Sequence, residues 1–492
     1  MLNNFIIDTK TYGYLSNGEW RESTNNSVIQ VMSPIDGTHV GSIPNMTTQE
    51  VDAVIKNAKS AFFKWKELPM DLRVQILKKA AIIMRNNVDI LTSLIIREVG
   101  KNYKESYEEV SRTADLIDFY AEEGRRIIGE SIRSDTYPNY GKEKIAITER
   151  VPIGLIVSIP PFNYPINEST PKVVGAIISG NTTVLKAPSQ GGISTIALGE
   201  IFRIAGLPAG VFNIVSGESS VIGDFLVTHE EVDGINFTGA TSTALHIQEV
   251  LKIRKKLMPI MLLGLGGKDA SIVLEDTPID RTAKEIAKGA FSFSGQRCTA
   301  IKRVIVIDSI ADSLIQKIKE EVSTYKVGNP MDQTVDIGPV INDRSADYIY
   351  SLFEDAKNKG ATVVLGGRRN GRYIDPIILD NVSLEMKIAW EEPFGPILPI
   401  LRVKNIDEAI EIANNSEYGL QGGIFTKDIN KAFYIASKLD VGTVNVNGKD
   451  SRGPDNLPFT GVKNSGDGKT IQGAKYLIES LTRIKTTVIN FD

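Results

Sequence analysis

Apolar positions change their period several times along the chain, and each change marks a new kind of element. Up to about residue 45 short strand-like runs alternate with turns. Tyr14-Leu15-Ser16-Asn17-Gly18-Glu19-Trp20 reads as a hairpin turning on Asn17-Gly18, a pair that accepts the positive φ of a two-residue turn. The period then lengthens. Thr47 with Glu50 three residues on is a capping box, and Val51, Val54, Ile55, Ala58 and Phe62 follow at helical spacing. The same spacing predicts helices over roughly 71–86, 89–98 and 104–128.

From Val151 short apolar strands alternate with amphipathic helices. Leu155-Ile156-Val157-Ser158 and Thr183-Val184-Leu185-Lys186 bracket a helical stretch, and Val211–Val215 and Gly234–Phe237 continue the series. A second series starts at Ala270–Leu274, passes through Arg303–Val306 and runs to about Val446. This is the pattern of parallel, doubly wound sheets. The fold predicted is α/β, with two doubly wound domains joined near the Gly/Pro-rich 259–267 segment and a β-arm. Residues 1–133 and 152–263 form the first domain, 264–465 the second, and 134–151 with 466–492 the arm. Within the arm, 144–150 and 485–490 alternate like solvated strands; they form either an ordinary hairpin or an arm that adds to another subunit's sheet.

Length and charge narrow the function. At ~100–200 residues per domain, 492 residues make two or three domains. Apolar residues make up 42% and charged residues 24%, a globular composition. Lys plus Arg is 56 against 60 Asp plus Glu, a net charge of −4, so no basic field exists for nucleic acid. The N-terminus has no basic segment ahead of an apolar stretch, and no run reaches ~18 apolar residues. A cytoplasmic protein without membrane partners is expected. Cys298 is the single cysteine, which excludes an intramolecular disulfide and a cysteine-based metal site. His39, His229 and His246 lie far apart without ligand spacing, so no metal is expected. Chemistry must come from one thiol, carboxylates, lysines and a bound cofactor.

Four local signals stand out. Phe293-Ser294-Gly295-Gln296-Arg297-Cys298-Thr299 places a thiol, the best side-chain nucleophile near neutral pH, beside a glycine that lets substrate approach the backbone. A lone cysteine is more often a small buried hydrophobe. Pro160-Pro161-Phe162-Asn163-Tyr164-Pro165 fixes Asn163 at a strand end, where its amide either donates to a developing oxyanion or caps the next helix. Lys186 at a strand end, Ser189, and the turn Phe237-Thr238-Gly239-Ala240 ahead of a helix suit the ribose and phosphates of a dinucleotide, although Gly-x-Gly-x-x-Gly is absent. Glu391-Glu392-Pro393-Phe394-Gly395-Pro396 holds adjacent carboxylates in a rigid loop that alone reads as a solvated turn.

In order and spacing these motifs, with Gly264-Leu265-Gly266-Gly267-Lys268, resemble the aldehyde dehydrogenase superfamily along essentially the full chain. Phe162–Pro165, Gly295–Thr299, Trp390–Pro396 and Arg452–Asn456 resemble its non-phosphorylating glyceraldehyde-3-phosphate dehydrogenase branch. The resemblance implies that Cys298 is the nucleophile, passing through a thiohemiacetal and a thioester, and that Asn163 and the Cys298 N–H hold the oxyanion. It implies that Lys186 and Glu392 bind the riboses, that Phe394 lies beside the nicotinamide, that Thr238, Gly239 and Ala240 approach the pyrophosphate, and that Phe237 also contacts the cofactor. Ser189 stands where NAD-preferring relatives carry a carboxylate that repels a 2′-phosphate, so NADP is expected over NAD. Arg112, Tyr164, Arg297 and Arg452, with Thr299, match the branch's substrate pocket, and three guanidiniums suit an anionic aldehyde such as glyceraldehyde 3-phosphate. Unphosphorylated glyceraldehyde and small semialdehydes are the alternatives. The arms resemble the family's oligomerisation strands, which implies a homo-oligomer, a dimer or a dimer of dimers.

One departure matters. The motif normally reads Glu-Leu-Gly-Gly-Lys, and here Gly264 replaces the Glu expected to act as general base for thioester hydrolysis. Losing such a base commonly costs ~10²–10⁴-fold. Deacylation is expected to be impaired; otherwise Glu168 or Glu392 substitutes, or a thiol such as coenzyme A is the acyl acceptor. A catalytically inactive binding protein of the same fold is the alternative from outside enzymology. Ala244, where a glycine usually ends the turn motif, is a lesser departure.

Overall fold

The structure is a computed structural model that describes residues 10–491. Leu155–Ile159, Thr182–Lys186 and Phe212–Val215 run parallel, and the chain then returns to the other side of Leu155–Ile159 with Gly234–Thr238 and Ile260–Gly264. Parallel strands are buried on both faces and therefore read as continuous apolar runs. Here Leu155 and Val157 pack into one apolar layer and Ile156 into the opposite one. The predicted hairpin, Tyr14–Ser16 with Glu19–Arg21, closes the far edge antiparallel, with Asn17 and Gly18 at φ 53° and 79°.

The reversal of strand order at Leu155–Ile159 opens a crevice beyond the carboxyl ends of the strands, the usual ligand position in such sheets. The loops and turns after Leu155–Ile159, Thr182–Lys186 and Gly234–Thr238 carry most of the motifs read from the sequence. The helix Thr48–Trp65 begins with the predicted Thr47–Glu50 capping box. Met70–Arg85 and Val88–Val99 follow. Tyr103–Gly124 stops short of the expected residue 128, and a β-carbon on Gly124 would lie only 2.2 Å from Ile178, so close packing of the two helices fixes that end.

The second sheet runs Thr362–Leu365, Ile377–Asp380, Ile397–Val403, Arg303–Ile307, Ala270–Val273, Gln421–Phe425, Thr443–Val446, parallel except for the first strand. A third sheet pairs Lys144–Pro152 with its neighbour in sequence Ser131–Arg133 and with the remote Thr482–Asn490. The two predicted arm strands thus pair with each other across most of the chain, which a local hairpin does not do. Ala474–Ser480, which precedes the last strand, is a helix packed on Tyr103–Gly124 and Ser169–Ile178. Ile132, Ile147, Ile484 and Val488 remain exposed on the arm. Among the described residues no helix is long and apolar enough to cross a membrane.

Candidate active site

A cavity of about 1380 Å3 fills the crevice and reaches across to the second domain; every site residue named from the sequence lines it. At one end lie the dinucleotide candidates. Lys186 ends its strand buried, and burial alone pulls its ammonium down to about 8. Ser189 is exposed at the rim. Thr238 leads through Gly239 and Ala240 into the helix Thr241–Leu251, whose first turn has no side-chain cap and so leaves N–H groups for an anion. A β-carbon on Gly239 would lie 2.6 Å from the tip of the Phe237 ring, which would have to shift to admit any larger residue in this turn. Ala244, buried in that helix, is small enough to leave the packing intact. Across the cavity Glu392 accepts from the Gly267 N–H at 3.2 Å and pairs with Lys302 at 3.1 Å. Phe394, at φ 49°, meets Phe162 edge-on with centroids 6.0 Å apart.

In the middle sits Cys298. Phe293, Ser294 and Gly295 ahead of it adopt φ 48°, 53° and 69°, and left-handed residues in succession are strained conformations that cluster at functional sites. Ser294 Oγ donates to the Gly338 carbonyl at 2.8 Å, and the Ile341 N–H donates to Gln296 Oε1 at 2.8 Å, pinning the segment. The sulfur is partly exposed to the cavity. Burial first, then the Glu168 carboxylate, pushes its thiol up to about 12. Asn163 Nδ2 donates to the Gln296 carbonyl at 2.9 Å, which ties its amide to the cysteine segment and leaves the second N–H for an oxyanion.

Gly264 ends its strand opposite Thr238, and a β-carbon there would lie 3.1 Å from Thr238 Oγ1 and 2.7 Å from Gln472 Nε2. The sequence offered Glu168 and Glu392 as replacement bases. Glu168 is ion-paired with Arg452 and lies 3.9 Å from Lys172; burial alone would raise its carboxyl, but these cations outweigh it and hold it below the usual carboxylate range. It is therefore a weakened base. Glu392 is held by Lys302 and the Gly267 N–H. Lys172, which the sequence did not flag, donates to Thr238 Oγ1 at 2.6 Å, and burial lowers its ammonium to about 8.

The other end is charged. Arg297 is buried; its Nη2 donates to the Gly289 carbonyl and its Nε has no hydrogen-bond partner. Arg112 is exposed beside Gly453. Arg452, expected to help hold the substrate anion, spends its guanidinium on Glu168 and on Asp455 at 3.3 Å, since a charge shielded from water needs a partner. Lys449, missed in the sequence, packs beside Arg297 on Gly289; burial, then Arg297 and Lys288, lowers it to about 8. Arg112, Lys288, Arg297 and Lys449 line this end together with the carboxylates Glu105, Glu108, Glu168 and Asp455.

A thiol and an amide donor thus meet on one cavity at the switch point of the sheet. The chain belongs to the aldehyde dehydrogenase family, whose model matches residues 20–487, and it is an oxidoreductase acting on an aldehyde. It is 48% identical to the NADP-dependent glyceraldehyde-3-phosphate dehydrogenase of Streptococcus equinus over 98% of this chain and 99% of that one. The enzyme of the same name from Pisum sativum is 43% identical, over 99% of this chain and 96% of the relative. A crystal structure of NADP-dependent glyceraldehyde-3-phosphate dehydrogenase from Bacillus halodurans, complexed with NADP, superposes with a TM-score of 0.95 at 45% identity, covering 99% of this chain and all of that one.

Proposed function

We propose that the protein oxidises glyceraldehyde 3-phosphate irreversibly to 3-phosphoglycerate with NADP as preferred cofactor, and that acyl-enzyme hydrolysis is its slow step. The observation that carries the reading is the convergence on one cavity of Cys298, Asn163, an unpartnered Arg297 Nε and the Lys186–Ser189 rim. NADP fits the residues present: a buried ammonium and a hydroxyl without a carboxylate at the ribose position, and a helix N-terminus for the pyrophosphate. When bound, it supplies a hydride acceptor at the end lined by Phe394 and Glu392.

The chain's own residues do the rest. Cys298 loses its proton and its sulfur adds to the aldehyde carbon, while the Asn163 amide and the Cys298 N–H hold the developing oxyanion. Arg297, Arg112 and Lys449 receive the phosphate, with Tyr164 and Thr299 packing the substrate. The thiohemiacetal then gives up the hydride on its carbon and the proton on its oxygen, which leaves a thioester. Gly264 carries no group to take a proton from water, so the thioester persists.

The lack of a carboxylate at 264 also favours a second reading, acyl transfer to a thiol such as coenzyme A. Steady-state assays with phosphorylated and unphosphorylated glyceraldehyde and succinate semialdehyde, with each cofactor, with and without coenzyme A, on this chain and on Gly264→Glu, separate these. Faster turnover of phosphorylated glyceraldehyde with NADP supports the main reading; coenzyme A rescue of this chain supports the second.

A further inference from the structure

The Tyr103–Gly124 helix begins beneath the cavity, and its first turns carry Glu105 and Glu109 at i and i+4, one face of the helix. Just before it, Lys101 sits in a three-residue break. Gly100, at φ 70°, closes the preceding helix, and Asn102 caps the next by accepting from the Glu105 N–H at 2.9 Å. Lys101 is fully buried and ion-paired with Glu109. Its ammonium lies 3.6 Å from the centroid of the Tyr164 ring and 4.4 Å from that of Phe293. Tyr164 belongs to the loop of Asn163 and Phe293 to the segment of Cys298, and the two rings meet edge-on at 6.3 Å.

The carboxylates grip the same two loops. Glu105 accepts from the Phe293 N–H with both oxygens, at 3.0 and 2.9 Å. Glu109 Oε1 accepts from the Ile166 and Asn167 N–H groups, each at 3.0 Å. Each loop is thus held by one carboxylate of the helix and by one ring on a shared cation. Buried charges this costly to desolvate persist only where each is paired, and removing one member strands the rest. A cation over an aromatic face is held more strongly once water is excluded.

We infer that Lys101, Glu105 and Glu109 form a clamp whose function is to set the separation of the oxyanion donor Asn163 from the nucleophile Cys298, which makes Lys101 a positioning residue for the oxidation. The inference rests on the reading of Cys298 and Asn163 given above. Misplacement of reacting groups by 1 Å costs about 100-fold in rate, so a clamp that tilts one loop against the other acts on the first chemical step. It leaves the dinucleotide end, on other strands, untouched.

The test uses the full-length protein, with Lys101→Met removing charge at similar length and Lys101→Arg restoring it. Reactive Cys298 is titrated with iodoacetamide, and the first-turnover rate of NADPH formation is expressed per titrated thiol. The clamp predicts a rate about 100-fold lower in Lys101→Met, partial recovery in Lys101→Arg, and NADP affinity within about 3-fold of the parent. A purely structural ion pair lowers the number of titrated thiols while leaving the rate per thiol at the parental value, and that result overturns the clamp. If Lys101→Met is insoluble, Glu105→Gln, which keeps an acceptor for Phe293 but loses the charge, decides: a rate per thiol at least about 10-fold lower supports the clamp, and an unchanged rate overturns it. Failure of the parent chain itself to reduce NADP overturns the oxidation reading, and the clamp with it.

Discussion

The amide of Gln472 stands 2.7 Å from the point where a β-carbon on Gly264 would sit. That atom is the tip of a flexible side chain, and the next, Thr238 Oγ1 at 3.1 Å, is also side chain, so a glutamate enters at position 264 once the amide turns aside and the hydroxyl gives by a few tenths of an ångström. The strand itself, paired with Gly234–Thr238, has no need to move.

Gly264→Glu is therefore expected to fold and to raise steady-state turnover by ~10²–10⁴-fold, the value of a positioned general base. The first-turnover rate of cofactor reduction changes little, because the thioester forms before the base acts. Rapid-mixing and steady-state assays on the two proteins check this. Equal steady-state rates would show that another group already serves hydrolysis, Lys172 beside Thr238 being the nearest candidate.

Cys298 alkylation has a defined pH dependence. With the thiol pushed up to about 12, mostly by burial, only a small fraction is thiolate at neutral pH. The iodoacetamide rate in the protein without cofactor should climb about tenfold per pH unit from 7 to 10 without a plateau, since the thiolate fraction rises tenfold per unit below the pKa. A plateau near pH 8 contradicts this electrostatic account of the site.

The anion end separates phosphorylated from neutral aldehydes. Arg112→Ala should raise KM for glyceraldehyde 3-phosphate by at least about 10-fold, the order of one charge-assisted contact, and much less for a neutral aldehyde. Arg452→Ala unpairs the largely shielded Glu168, so it should lower the melting temperature, whereas exposed Arg112→Ala should not. Equal losses on both substrates argue against a phosphate pocket.

Cofactor preference is set at the rim. Ser189→Glu places a carboxylate where a 2′-phosphate would lie, and the ratio of kcat/KM for NADP to that for NAD should fall at least about 10-fold, the scale of a direct like-charge clash. An unchanged ratio removes Ser189 from the argument.

Much of this architecture was legible in the sequence because it is local. Strands buried on both faces wrote themselves as unbroken apolar runs, Thr47 and Glu50 announced a helix start, and Asn17-Gly18 announced a turn. The motifs around Asn163, Gly264, Cys298 and Glu392 all reach one cavity. What stayed hidden depends on pairing at a distance. Nothing in the sequence marks Glu105 and Glu109 within their helix, and only the folded chain brings them under Phe293 and Ile166. The pairing of Arg452 with Glu168 was hidden because the two lie far apart in sequence. Lys449 carries no local mark at all; its meaning comes from sharing Gly289 with Arg297.

The most direct measurement mixes the protein and NADP rapidly with excess glyceraldehyde 3-phosphate and follows absorbance of the reduced cofactor. The account predicts a burst approaching one NADPH per chain, abolished in Cys298→Ser and followed by slow turnover. A trace with no reduction in the first turnover, or a burst that survives Cys298→Ser, contradicts it.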